Sequence, residues 1–320
     1  MRSCVFLLLA ASAGVVSAQV ADYPSRPVTV IVPTAPGGPV DFEARLHTGK
    51  LSGFLGQPFV LDYKAGAGTT LAAGFVAKAK PDGYTLSVFG GSFTIFPALY
   101  KNLAFDTLKD IVPISLMSKR TTVLLAHPAF RPTTFSQYLE YAKANPGKIN
   151  YGTLEPGSGS HLAGAWLHSA SNTKATFVPY KGAGPAMTDL VAGRIDVMST
   201  ALITAMPLVK AGKVRILAIM NQERSTVLPA LATISEQGVP GYNYSAWFGF
   251  GAPAGIPAAL VDKLHQGLVK VAKSQDVIAT LEADGGIVLG STPAEFRNLI
   301  VSETGLWKKI VQDNGIKLEE

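Results

Sequence analysis

Short apolar runs alternate with stretches of helical period along this chain. Val28-Thr-Val-Ile-Val32 is dense in β-branched residues and reads as a strand buried on both faces. It stops at Pro33-Thr-Ala-Pro-Gly-Gly38, and Asp41 is placed to cap a following helix that carries Phe42, Leu46 and Phe54. The order then repeats: strand Phe59 to Tyr63, loop Ala65-Gly-Ala-Gly-Thr-Thr70, helix to Ala79, turn Pro81-Asp-Gly83, strand Tyr84 to Phe89. Strand, helix and strand repeated in this way imply parallel pairing through right-handed crossovers.

The alternation resumes with strands at Val123 to Ala126, Lys148 to Gly152, Ala175 to Pro179, Ile195 to Met198 and Val214 to Met220. Helices are predicted at Ser136 to Ala144, Gly159 to Ala170 and Pro185 to Ala192. From Pro257 the chain is mostly helical, with one apolar break at Ile287-Val-Leu289. The pattern predicts two α/β units with soft boundaries near residues 119–122 and 244–251. Returning the C-terminal helices to the first unit gives one domain of residues 19–120 plus 250–320 and a second of residues 121–249. The chain then crosses between them twice.

The start of the chain stands apart. Met1-Arg2 is basic, Val5 to Val16 is apolar apart from Ser12 and Gly14, and Val16-Ser17-Ala18 ends in small residues. This is the form of a cleavable signal peptide over residues 1–18. The alternative, a membrane anchor, needs about 20 apolar residues, more than this run supplies. Cys4 is the only cysteine, so neither a disulfide framework nor a cysteine metal site is expected. The net charge of +6 is dispersed, without a block of five basic residues, which argues against nucleic acid and suits a small anion.

In open parallel sheets, ligands sit past the carboxyl ends of strands, at helix starts. Pro36-Gly37-Gly38 lies at such a place, where glycines let backbone approach a ligand and free N–H groups attract an anion; an ordinary tight turn is the other reading. Gly66-Ala67-Gly68 begins like a dinucleotide fingerprint, but Leu71 replaces the third glycine, so turn glycines are the better reading. Gly152 to His161 is the richest loop, with hydroxyls on Thr153, Ser158 and Ser160 and exposed backbone at Gly157 and Gly159. It lacks the Gly-x-Ser-x-Gly of a nucleophile elbow. His161 and His168 lack nearby carboxylates, which makes a poor metal site and leaves His161 a structural or capping residue. Lys181 either pairs with an anion or is solvated, and Asp196 either accepts backbone N–H groups or orders a water. Trp247, Phe248 and Phe250 read as core. No nucleophile, base and orienter come together, so the expectation is a protein that binds an anion without transforming it. No catalytic residue, metal or cofactor is assigned.

Taken in order, several motifs resemble those of the Bug family, the periplasmic solute-binding proteins of tripartite tricarboxylate transporters. They are Pro36-Gly-Gly-Pro-Val-Asp-Phe-Glu-Ala-Arg45, Pro81-Asp-Gly-Tyr-Thr85, Asn150-Tyr-Gly-Thr153 with His161-Leu-Ala-Gly164, and Val178-Pro-Tyr-Lys-Gly-Ala-Gly-Pro185. Leu228-Pro229 with Thr233, Glu236 and Gly238, then Trp247 with Ala252-Pro-Ala-Gly255, complete the set. The resemblance covers essentially the whole chain after the signal. It departs at Thr69 and Ala72 in the glycine loop, at Glu155-Pro156, and at Ala165. Thr69 and Glu155 line or border the expected cleft and so bear on ligand identity.

The resemblance implies a type II periplasmic binding protein fold: two α/β domains, a cleft and two chain crossovers. It implies a ligand held by Thr34, Ala35, Pro36, Gly37, Gly38 and Ser92, opposed by Thr153, Gly157, Ser158, Asp196, Thr200 and Ala201. The implied ligand is a small carboxylate: a di- or tricarboxylate, an acidic amino acid or an aromatic acid. The implied partners are the membrane permease components of the transporter, the setting is the Gram-negative periplasm, and the protein is a monomer. Two rivals share the sequence evidence: an exported serine esterase using Ser158 or Ser160, and a ligand-sensing partner of a sensor kinase.

Overall fold

The computed structural model describes residues 22–154, 156–283 and 285–316. The expected signal peptide, Cys4 and Glu155 lie outside the described residues. The chain begins with β1 (Val28–Val32), α1 (Pro39–Leu55), β2 (Phe59–Tyr63), α2 (Thr70–Ala77), β3 (Thr85–Gly90), α3 (Ser92–Leu99) and β4 (Ile111–Arg120). Then come β5 (Thr122–Ala126), α4 (Phe135–Ala144), β6 (Asn150–Leu154), α5 (Gly159–Ala170) and β7 (Thr176–Tyr180). They are followed by α6 (Ala183–Val191), β8 (Val197–Ala201), α7 (Leu202–Lys210) and β9 (Arg215–Ile219). The last elements are β10 (Ala246–Pro253), α8 (Ala258–Ala272), α9 (Gln275–Ala283), β11 (Gly286–Val288) and α10 (Pro293–Asp313).

Two sheets result. The first has the order β11-β4-β10-β3-β1-β2 and the second β7-β6-β8-β5-β9. The trios β3-β1-β2 and β7-β6-β8 are parallel, as the repeated strand–helix–strand pattern requires. The expectation of parallel pairing fails at β10 and β5, which run antiparallel to both neighbours. Each is the first strand after a crossing, so it enters its sheet from the opposite direction. β4 and β10 pair across more than a hundred residues, which a local pattern does not reveal.

Consecutive side chains of β1 enter opposite layers, which is why apolar residues fill its run on both faces apart from the half-buried Thr29. Val28, Val30 and Val32 pack with Ala44 and Leu51 of α1 and with Leu264 and Leu268 of α8. Ile31 packs with Ala73 and Val76 of α2, Phe93 and Phe96 of α3, and Phe296 of α10. Burying each such large side chain contributes roughly 1.5–3 kcal/mol. Trp247, Phe248 and Phe250 are core, as expected.

The face of α1 differs from expectation. Phe42 and Phe54 are 38% and 47% exposed, while Glu43 and His47 are fully buried. Glu43 Oε1 accepts from Ser118 Oγ at 2.8 Å and pairs with Arg120 Nη2 at 2.7 Å. A buried carboxylate is tolerable when a cation and a hydroxyl complete it. That pairing is invisible to hydrophobic periodicity.

The chain passes from the first sheet to the second at Thr121 and returns over residues 220–245. Thr121 Oγ1 donates to the carbonyl of Gly285. Ile95 of α3, Leu162 and Ala165 of α5, and Trp307 and Ile310 of α10 form one further cluster joining the two units. Among the described residues no helix is long and apolar enough to cross a membrane.

Candidate functional site

Parallel neighbours end at the same sheet edge, so Val32, Tyr63 and Gly90 deliver three loops to one place. The helices α1, α2 and α3 start there. The same geometry sets Leu154, Tyr180 and Ala201 along one edge of the second sheet, where α5, α6 and α7 start. Ile95 and Leu162, each one turn inside α3 and α5, share the cluster with Trp307. That contact brings the two sets of helix starts to the same side of the molecule. Thr34 to Gly38 and Ser92 therefore belong to one edge, and Thr153, Gly157, Ser158, Thr200 and Ala201 to the other.

Thr34 stands just past β1, and its Oγ1 is buried with no hydrogen-bond partner among the described residues. Ala35, Pro36 and Gly37 are exposed. The N-cap of α1 is Gly38, correcting the expectation for Asp41; Pro39 follows, and no side chain caps the helix. Its first-turn N–H groups thus remain available to an anion. Asp41 instead reaches back, and its Oδ2 accepts the Gly37 N–H at 2.8 Å. Gly37 has φ +90°, a left-handed value natural to glycine. Its amide is committed to Asp41, so its contribution to a ligand is limited to close backbone approach. Tyr63 Oη and Arg45 Nε also donate to Asp41, at 2.6 and 2.9 Å. Burial raises the Asp41 carboxyl, but the donors from Tyr63, Gly37 and Arg45 outweigh it and hold the group below the usual range.

The loop after β2 folds as a short turn in which Gly66, Ala67, Gly68 and Thr69 all have positive φ. The turn reading of its glycines is correct: a Cβ on Gly68 would stand 2.4 Å from Tyr100 Oη. Thr69 Oγ1 lies 3.2 Å from Ser92 Oγ, at the first turn of α3. Behind Ser92, the Trp247 indole backs Gly91. Trp247 Nε1 and Thr94 Oγ1 donate to Glu303 Oε2 at 2.8 and 2.9 Å. Burial pushes the Glu303 carboxyl up. Sequence reasoning missed Glu303, which sits on a long amphipathic helix with no local mark to distinguish it.

On the second sheet, Thr153 is buried at the end of β6. Ser158 is the N-cap of α5, its Oγ accepting the His161 N–H at 3.3 Å, and lies 3.2 Å from Ser160 Oγ. Ser160 Oγ accepts the Leu154 N–H. His161 Nδ1 accepts the Gly157 N–H at 3.0 Å, so His161 is a loop-fastening residue, as expected, and this amide too is committed. Burial lowers the His161 pKa, consistent with a neutral ring that accepts at Nδ1. Among the described hydrogen bonds neither serine meets a histidine ring, and no general base is arranged for a hydrolase. His168 belongs to the core, between Tyr138 Oη and Thr173 Oγ1. No group of three metal-binding side chains occurs among the described residues.

The structure does not bring Asp196 to these groups. It precedes β8, and its Oδ2 accepts the N–H of Asn150 at the start of β6. At about 3.3 Å per residue, β8 separates it by roughly 13–16 Å from the edge where Ala201 ends the strand. Asp196 fastens the amino ends of two strands, a backbone-accepting role. Lys181 is exposed just past β7, and Ala201 is the N-cap of α7.

Two α/β units joined by two crossings, with hydroxyls and helix starts on adjoining sheet edges, have the architecture of a solute-binding protein of the type II fold. Residues 44–316 match the family described as "Tripartite tricarboxylate transporter family receptor", and the chain belongs to it, within the Bug group. It is similar to the Bordetella pertussis protein BugT, with 31% identity over 317 residues, 98% of this chain and 97% of BugT. Among solved structures it is similar to R. palustris Rpa4515 with adipate: 32% identity, TM-score 0.80, covering 92% of this chain and 99% of that one. It is similar also to MatC from Rhodopseudomonas palustris with bound malate: 35% identity, TM-score 0.77, covering 90% and 100%.

Proposed function

We propose that the protein captures a small carboxylate between the two sheet edges and delivers it to the membrane components of a tripartite tricarboxylate transporter. The observation that carries this reading is Thr34 Oγ1, a buried hydroxyl without a partner beside the uncapped start of α1. A buried polar group left unpaired costs roughly 1–3 kcal/mol, and a ligand oxygen removes that cost. The groups assigned to the ligand are Thr34 to Gly38 and Ser92 on one side, and Thr153, Ser158, Thr200 and Ala201 on the other. Asp196 is left out because of its place at the far edge. The adipate and malate in the two similar structures support an acid of this size. Export by cleavage after Ala18 belongs to the same proposal, and N-terminal sequencing of the mature protein tests it.

The direct test is a thermal-shift screen of malate, adipate, citrate, glutamate and benzoate. A ligand at 100 times its Kd adds about 2.7 kcal/mol of stability. A bound acid is then compared with its amide by calorimetry. The proposal expects the acid alone to bind. Failure of every carboxylate, or equal affinity for acid and amide, contradicts it.

A further inference from the structure

Thr69 holds a backbone conformation that suits glycine better. Its φ is +76°, and a β-branched residue there is a genuine outlier. Threonine commonly stands before a helix because its hydroxyl caps the first turn. Thr69 is the N-cap of α2, yet its side chain makes no capping hydrogen bond. The hydroxyl instead meets Ser92 Oγ at 3.2 Å. Neither backbone preference nor helix capping accounts for this residue; the contact with Ser92 does. β1 lies between β2 and β3 in the sheet, so a bond from the β2 loop to the start of α3 passes over the end of β1. Thr34, with its unpartnered Oγ1, stands at that end.

We propose that Thr69 is a specificity-determining residue, acting through Ser92, and that the pair selects a carboxylate bearing a hydroxyl on the carbon next to a carboxyl group. The inference rests on the function proposed above. Two hydroxyls that share one hydrogen bond keep one free O–H and three free lone pairs. A carboxylate accepts the free hydrogen but offers nothing to the lone pairs. A ligand hydroxyl beside it donates to one of them, so hydroxy acid and pair satisfy each other. The branched Thr69 side chain is stiff at χ1, which holds its hydroxyl toward Ser92.

The test is calorimetric titration of the wild type, Thr69→Ser, Thr69→Gly and Thr69→Val with two matched pairs, malate against succinate and citrate against tricarballylate. The wild type is expected to prefer the hydroxylated member of at least one pair by about tenfold or more, since sites built around a ligand hydroxyl reject its absence. Thr69→Ser keeps the preference. Thr69→Gly and Thr69→Val shift the two affinities toward equality, because Ser92 keeps its own hydroxyl but loses the partner that orients it. The thermal midpoint of Thr69→Gly does not fall, since glycine accepts the backbone angle, and this separates lost selection from lost folding. A preference retained in Thr69→Gly overturns the inference. A wild type that binds only unsubstituted carboxylates overturns it and leaves the proposed function standing. A wild type that binds no carboxylate overturns both.

Discussion

Asn221 Oδ1 accepts the backbone N–H of Thr122 at 2.7 Å, joining the start of the second crossing to the far side of the first. Its Nδ2 donates to the Arg120 carbonyl at 3.0 Å, on the near side. One side chain thus clamps both strands where the chain changes unit. Asn221→Ala leaves two buried backbone groups without these bonds, at roughly 1–3 kcal/mol each. Urea unfolding should show a loss of about 2–6 kcal/mol. A variant within about 0.5 kcal/mol of the wild type means the clamp carries no weight.

Asp41 fastens the Gly37 loop, so Asp41→Ala should lower carboxylate affinity more than it lowers stability. Its folded pKa is depressed. Its contribution to stability is therefore complete above the ordinary Asp value of about 4 and is lost as pH falls through the lower folded value. Urea titrations from pH 7 to pH 3 should show the wild type and Asp41→Asn converging at the acid end. A gap that widens there contradicts the assignment.

Burial lowers the pKa of His168 to about 4. The unfolded state then binds the proton first, so this stability is full above about 6.5 and declines as pH falls toward 4. His47 and His161 shift the same way, both through burial. His168 alone should cost roughly 2 kcal/mol between pH 7 and pH 5. His168→Gln, which does not titrate, should show a shallower decline over that interval. An equal slope in both proteins excludes His168 as the source.

Glu303 has the opposite sign. Burial raises its folded pKa, so its contribution is full below the unfolded value of about 4.5 and is lost as pH rises through the folded value. Glu303→Gln keeps an oxygen for Trp247 and Thr94 without the buried charge. At pH 8 it should be at least as stable as the wild type by urea unfolding, while Glu303→Ala is weaker. A large loss in Glu303→Gln at pH 8 shows that the charge itself is needed.

The parallel trios and their loops were legible because each depends on local patterns. The Val28 to Val32 run, Pro36-Gly37-Gly38 and the helix starts are written in adjacent residues. The antiparallel insertion of β10 beside β4 was not, since Phe250 meets Ser115 only after the chain has built another unit. The buried face of α1 was misread because Glu43 is made apolar in effect by Arg120, 77 positions away by number. The resemblance implies Asp196 at the ligand, but position along the chain does not say which end of a strand a residue occupies. The commitment of the Gly37 and Gly157 amides to Asp41 and His161 is likewise a matter of three-dimensional geometry.

The central claim is that a carboxylate is held between two units that close on it. Small-angle scattering tests this most directly, comparing the free protein with the protein saturated by an acid that calorimetry shows to bind. Contacts on both sheet edges predict a smaller radius of gyration with the ligand, and no such change in Gly37→Val, whose side chain opposes close approach at φ +90°. An unchanged radius in the ligand-saturated wild type contradicts the account.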